Sequence, residues 1–310
     1  MKKLLMVFLL VSCIMLSSCF ELEFSKDSEP TEESETETQE QTTETDPTSA
    51  ETTPETSETT ETTAEIEPTP DPNSVMYGEI TITYDFFEDE YADAEDGTIL
   101  VSAYHQNASV SIPAFPAAAA IINDTLDFIR SDNLSIHEQM CLEAQGLYDD
   151  YGFGGIPGMY ESSIILEPTY VSERLICFGV TYYLYYGGAH GNVVLEAYTF
   201  DARTGDFVSF DDLCSDPGVF EHFLHTEIIA QIEEIPPADR MVFEDYSTAV
   251  VSSFDRAAWM ISDFESEPSL VITYQAYDIA PYAAGLPTFS VPLSECLSYF
   301  NAYGASLFAA

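Results

Sequence analysis

The sequence predicts an α+β fold: mainly antiparallel sheets, helices packed on one face, and two interlocked subdomains. Three observations carry that expectation. Segments such as GEITITYDFFEDE alternate Ile80, Ile82 and Tyr84 with Thr81 and Thr83, the period of a half-buried strand. Other stretches repeat apolar residues every three or four positions, the period of an amphipathic helix. Helices and hairpins also come in blocks rather than in strict strand–helix alternation, which favours antiparallel pairing.

The N-terminal part is expected to lie outside that fold. Lys2 and Lys3 precede an apolar run from Leu4 to Leu16, and Leu16-Ser17-Ser18-Cys19 matches a lipobox. Residues 1–19 therefore read as a lipoprotein signal peptide, too short for a comfortable membrane span, with Cys19 carrying the lipid. Residues 20–74 are dominated by Glu, Thr, Ser and Pro, with no apolar face at either the helix or the strand period. Such a segment cannot offset its ordering entropy by burial, so a disordered tether is expected. Together these features predict an extracytoplasmic, lipid-anchored protein, as on a Gram-positive cell surface, that meets the membrane through Cys19.

The folded part divides into expected subdomains at 75–180 and 181–310. After the strand beginning at Gly78, TILVSAYHQNASVSIP reads as a second strand pair ending at Pro113. A helix follows from about Pro116, with Ala119, Ile122, Leu126 and Ile129 at helical spacing. SIHEQMCLEAQGLYDDY stays helical, with Ser135 and Glu138 in a capping-box pattern. Next come three strand-like runs, YESSIILEPTYVSE, RLICFGVTYYLYYGG and GNVVLEAYTFDARTGDFVSF. DARTGD (201–206) fits a hairpin connection with Gly205 at a positive φ. DPGVFEHFLHTEIIAQIEEI is an amphipathic helix presenting Phe220, Phe223, Leu224, Ile228 and Ile232, ended by Pro236-Pro237. A short helix, two strands (AAWMISD and SLVITYQAYDIAPY), a further strand and a terminal helical turn complete the chain.

Charge restricts the partners. The chain carries a formal −47, and residues 75–310 hold 37 acidic residues against five arginines and no lysine, which leaves −32. A phosphate backbone would be repelled, so nucleic acid is excluded, and cationic proteins or peptides are favoured. Beyond Cys19, the cysteines Cys141, Cys177, Cys214 and Cys296 are even in number in a chain expected to be exported. They allow two disulfides, with buried free thiols as the competing reading.

Little in the sequence points to bond-making chemistry. His222 and His225 share a helical face, but no HExxH pattern supplies further metal ligands. The acidic stretch EDEYADAEDG (88–97) does not follow the alternate-position calcium loop and reads as a solvated loop. No nucleophile elbow and no phosphate-binding loop occurs. No catalytic residue, metal ligand or cofactor is assigned. In YYLYYGGAHGN, the glycines Gly187, Gly188 and Gly191 read as a tight turn between aromatic strands, with His190 pinning it.

Three motifs occur in order: YYLYYGGAHGN, AYTFDARTGDFVSFDDL and LVITYQAYDIAPYAAGLPTFSVPLSEC. Together they resemble an extracytoplasmic bacterial family of unknown biochemical activity. It includes the sensor region of the lysozyme-responsive anti-sigma factor RsiV and the N-terminal region of PdaC-type peptidoglycan deacetylases. Upstream, GTILVSAYHQNASVSIP and AAAAIINDTL resemble the partner domain that precedes it, so 75–180 is PdaC-like and 181–310 RsiV-like. The resemblance implies a binding or sensor module rather than an enzyme, with lysozyme, another basic protein or peptidoglycan as partner. The contact surface is expected on the late loop, at Tyr277, Ile279, Pro281 and Tyr282, with Gly285 shaping the turn, and His190 is a further candidate contact. The alternative is a cell-wall hydrolase that uses His190 as a base.

Overall fold

A computed structural model describes residues 71–152, 158–263 and 267–308. The expected signal peptide with Cys19, and the tether up to Pro70, lie outside the described residues. No described helix is long and apolar enough to cross a membrane.

The protein is α+β. Six strands form one sheet in chain order: β1 (Ser74–Tyr77), β2 (Ile80–Ala92), β3 (Ile99–Ser111), β4 (Tyr160–Val171), β5 (Leu175–Tyr185) and β6 (Asn192–Asp201). All neighbours are antiparallel except β3 and β4, which run parallel, with Val101 opposite Tyr160. A parallel pair needs a long crossover, and helix α1 (Pro116–Tyr151) supplies it. The stretch expected to hold a strand pair is the single strand β3, paired to β2 on one side and β4 on the other. The short edge strand β1 escaped the sequence reading because its residues are largely exposed and carry no alternation.

Helix α1 is continuous over 36 residues, about 54 Å at 1.5 Å per residue. Ser135 is therefore not a cap; it lies exposed in mid-helix. The buried stripe Ala119, Ile122, Leu126, Ile129, Asn133, His137, Met140 and Ala144 keeps its spacing through that point, so packing on the sheet holds the helix together. Pro116 opens it, and Gly152 closes it at φ 66° with its N–H bonded to the Tyr148 carbonyl.

The second half covers the other face of β5. Leu175 and Cys177 point into a large core with α2 (Phe210–Leu213), α3 (Pro217–Glu234), α4 (Tyr246–Ser252) and the strands β7 (Trp259–Ser262), β8 (Ser269–Thr273) and β9 (Thr288–Pro292). Ile176, Phe178 and Val180, which alternate with them, pack instead towards α1. Strand β5 is thus buried on both faces, which explains its unbroken apolar run. Strands β7, β8 and β9 form a separate antiparallel sheet. On α3, Asp216 caps the N-terminus by accepting from the Gly218 and Val219 amides, while Phe220, Leu224, Ile228 and Ile232 are buried. Two short helices, α5 (Leu293–Cys296) and α6 (Ala302–Leu307), close the chain. The expected border between residues 180 and 181 falls inside β5, and the described residues belong to one compact unit.

Candidate functional site

The turn between β5 and β6 and the connection between β8 and β9 come together although about 90 residues separate them in sequence. Gly187 and Gly188 adopt φ of 85° and 99°, which side chains resist. Gly191 has an ordinary φ but lies against the Tyr183 ring, where an added Cβ would stand 2.8 Å from Oη and closer still to the ring carbons. Two of these glycines thus serve the backbone angle and the third serves close approach.

The close approach exposes the Gly191 carbonyl to two donors. Tyr282 Oη donates to it at 2.7 Å, and His190 Nδ1 donates at 3.0 Å. The His190 ring then stacks on Tyr282, with centroids 3.8 Å apart and planes 18° from parallel. Nε2, on the other side of the ring, lies 3.4 Å from Tyr277 Oη, within reach of a hydrogen bond. Tyr277 lies 6.0 Å from Tyr282, is 56% exposed, and holds φ at 71°, the one positive φ among the described non-glycine residues.

The supporting loop is built to stay in place. Gln275 donates to the Leu195 carbonyl at 2.8 Å and accepts from the Leu195 amide at 3.1 Å, so its side chain pairs with the free edge of β6 like a short strand. Asp278 accepts from the Gln275 amide at 2.8 Å. Ile279 and Ala280 are buried in the core, and a 3₁₀ turn at Tyr282–Ala284 ends on Gly285 at φ 72°. Pro281 starts that turn, and Ile279 anchors the loop rather than facing a partner. Gly205, at φ 78°, serves a different place: its connection packs on the start of α1, with the Ala118 carbonyl where a Cβ would stand.

Two expectations are corrected here. Cys141, Cys177, Cys214 and Cys296 are all free and buried, so no disulfide joins them. Cys141 belongs to the cluster under the C-terminal half of α1, and the other three line the large core as small apolar residues. Burial pushes their thiols up, to about 11 for Cys141, Cys177 and Cys214 and about 12 for Cys296. The stretch 88–97 is not wholly a solvated loop: its first half belongs to β2, and Asp93 is buried, accepting from the Glu95 and Asp96 amides and from Gln145. His222 is exposed while His225 is buried, so the two do not form a pair of ligands.

One constellation was missed. Asp89 on β2 meets His137 and Cys141 on α1: His137 Nε2 lies 2.9 Å from Asp89 Oδ2 and 3.5 Å from Cys141 Sγ. The only sequence signal was the four-residue spacing of His137 and Cys141, because Asp89 arrives from 48 residues upstream.

Residues 211–294 match the family model described as a protein of unknown function, DUF3298. The match takes in Tyr277, Pro281 and Tyr282 but stops short of the His190 turn. Among solved structures, a DUF3298 family protein from Pseudomonas aeruginosa PAO1 is similar at 15% identity, with a TM-score of 0.44, over 74% of this chain and 97% of its own. A member of the DUF3298 family from Bacteroides fragilis NCTC 9343 is similar at 13% identity, with a TM-score of 0.49, over 74% and 96%. No curated protein matches the chain.

Proposed function

We propose that this chain is a binding or sensor module of the bacterial cell surface, displayed on its acidic tether from a lipidated Cys19, that captures a cationic protein of the lysozyme class. The observation that carries the reading is the cluster of His190, Tyr277 and Tyr282: aromatic rings at the surface, held by backbone hydrogen bonds on two buttressed loops. Rigid tyrosines give contact area at a small cost in side-chain entropy. Tyr277 keeps a backbone angle that an unconstrained tyrosine avoids. The excess of acidic residues supplies long-range attraction for a basic partner, and the likeness of the GGAHG and IAPYAAG motifs to RsiV-like sensors points the same way. A hydrolase reading has less support, because the ring nitrogens of His190 are engaged by a carbonyl and a phenol rather than oriented by a carboxylate.

The test is capture of lysozyme by the full chain at low and at moderate salt, with Tyr277→Ala alongside. Binding at low salt, weakened by salt and by at least about tenfold in the variant, is expected if Tyr277 is a central contact. Absence of binding at low salt, where charge attraction is strongest, overturns the reading. So does binding that Tyr277→Ala leaves unchanged.

A further inference from the structure

The stripe that α1 turns towards the sheet is apolar at both ends and polar in the middle. Ile122, Leu126 and Ile129 join one apolar cluster, and Met140, Cys141 and Ala144 join another. Between them lie Asn133 and His137, with His105 of β3 and Ser162 of β4 buried close by. At this break the donor atoms of Asp89, His137 and Cys141 lie within 4.8 Å of one another.

The cluster makes one ordinary hydrogen bond and brings together three donors of metal-ligand type. His137 Nε2 meets the Asp89 carboxylate, and Cys141 Sγ lies beside the same ring, 3.5 Å from Nε2 and 3.9 Å from Nδ1. A proton on that nitrogen can serve one of them well, whereas a cation can be shared by all three. A tetrahedral zinc ion, with Zn–S of about 2.3 Å and Zn–N of about 2.0–2.1 Å, holds those two ligand atoms about 3.5 Å apart. Sγ and Nε2 stand at that separation, and a turn of the two side chains brings the sulfur from beside the ring into line with the Nε2 lone pair. A cysteine–histidine–aspartate nucleophile is the competing arrangement, but it needs thiol and carboxylate on opposite ring nitrogens. Here the carboxylate lies on Nε2, while Sγ, at 3.5 Å from Nε2 and 3.9 Å from Nδ1, stands beside the ring and is aligned with neither nitrogen.

We propose that Asp89, His137 and Cys141 form a binding site for a divalent transition-metal ion of the zinc class. Nitrogen, sulfur and oxygen donors in one set suit zinc and its neighbours rather than calcium or magnesium, which take oxygen. The helix fixes His137 and Cys141 one turn apart on one face, so the backbone keeps two ligands within reach of one ion. The Asp89 side chain is 44% exposed and opens the cluster to solvent, giving an entry path and room for a water as fourth ligand. A second buried histidine lies next to the cluster. His105 Nε2 bonds Ser162 Oγ at 2.8 Å, but its Nδ1 is buried with no hydrogen-bond partner among the described residues, and its ring centre is 6.1 Å from that of His137. On binding, the Cys141 thiol gives its proton to solvent as the sulfur–metal bond forms.

Cobalt(II), which substitutes for zinc and reports its ligands optically, tests this in the reduced full-length chain. One equivalent is expected to produce a sulfur-to-cobalt charge-transfer band and the intense visible bands of four-coordinate cobalt, both displaced by zinc. Cys141→Ser abolishes the charge-transfer band, while Cys177→Ser leaves it intact. Asp89→Asn, at a half-exposed position that folding tolerates, weakens affinity at least as much as the roughly 10–100-fold lost with an outer hydrogen-bond partner. The acidic tether offers only oxygen and adds no sulfur band. No charge-transfer band in the wild type overturns the proposal, as does a band that survives Cys141→Ser. Should that variant misfold, unchanged cobalt affinity in Asp89→Asn overturns it equally.

Discussion

Replacing Tyr282 by alanine removes two restraints on the connection between β8 and β9: the stack on His190 at 3.8 Å and the hydrogen bond to the Gly191 carbonyl at 2.7 Å. An aromatic stack is worth about 0.5–1.5 kcal/mol, and a hydrogen bond about 0.5–1.5 kcal/mol net. Their sum is about 1–3 kcal/mol, so the undocked turn becomes about 5–150 times more populated. The other end of the loop keeps its own anchors: the Gln275–Leu195 pair, the Phe243 amide on the Ile279 carbonyl, and buried Ile279 and Ala280. The opening is therefore local. Native-state hydrogen exchange reads it at the Ala284 and Gly285 amides, which donate to the Pro281 and Tyr282 carbonyls. Tyr282→Phe keeps the stack and loses only the hydrogen bond, so it accelerates the same amides by only about 2- to 13-fold. Unchanged exchange at both amides in the alanine variant would refute the reasoning. So would acceleration of equal size at Ile261 and Ile272, which would mean that the whole fold had loosened.

Further predictions concern the interior. Asn133 is buried and neither polar atom of its side chain has a hydrogen-bond partner among the described residues; Asn133→Leu, with the same branched skeleton, is expected to raise stability by about 1–3 kcal/mol, read as about 2–4 °C in Tm for each kcal/mol, and a lower Tm would count against this. Gly304 packs on the Leu213 backbone, where an added Cβ would stand 2.9 Å from the carbonyl carbon and closer still to its oxygen; Gly304→Ala is expected to cost about 1–3 kcal/mol in chemical denaturation. Burial raises the Glu196 carboxyl despite hydrogen bonds from Tyr198 and Tyr182. Folding therefore favours its protonated form, a contribution complete below the ordinary glutamate range and lost as pH rises through the raised folded-state value. Glu196→Gln is expected to melt above the wild type near pH 7, with the gap closing towards about pH 4, and a gap that widens on acidification would reverse the sign.

Much of the fold was legible in short segments. The alternation of Ile80 and Ile82, the apolar run of β5, Gly205 in its turn and the Phe220–Ile232 face of α3 are local patterns with local causes. Errors came where a local pattern was overruled from outside. Ser135 and Glu138 resemble a capping box, but a continuous buried stripe carries the helix past them. Four cysteines resemble a disulfide set, but the core claims each thiol separately. The candidate site divides the same way. Tyr277, Pro281, Tyr282 and His190 could be singled out by composition and by resemblance, whereas the stack of His190 on Tyr282 depends on two loops meeting.

Read by itself, the sequence determined the α+β class, the order of most strands and helices, and the acidic character of the folded part, because periodicity and charge are properties of neighbouring residues. Only the tertiary structure decided that α1 is the crossover of a parallel pair, that Gly191 is a glycine for the sake of Tyr183, and that Asp89 meets His137 and Cys141. Each of those depends on which distant segments share a face, and that is settled by burying several apolar stripes at once.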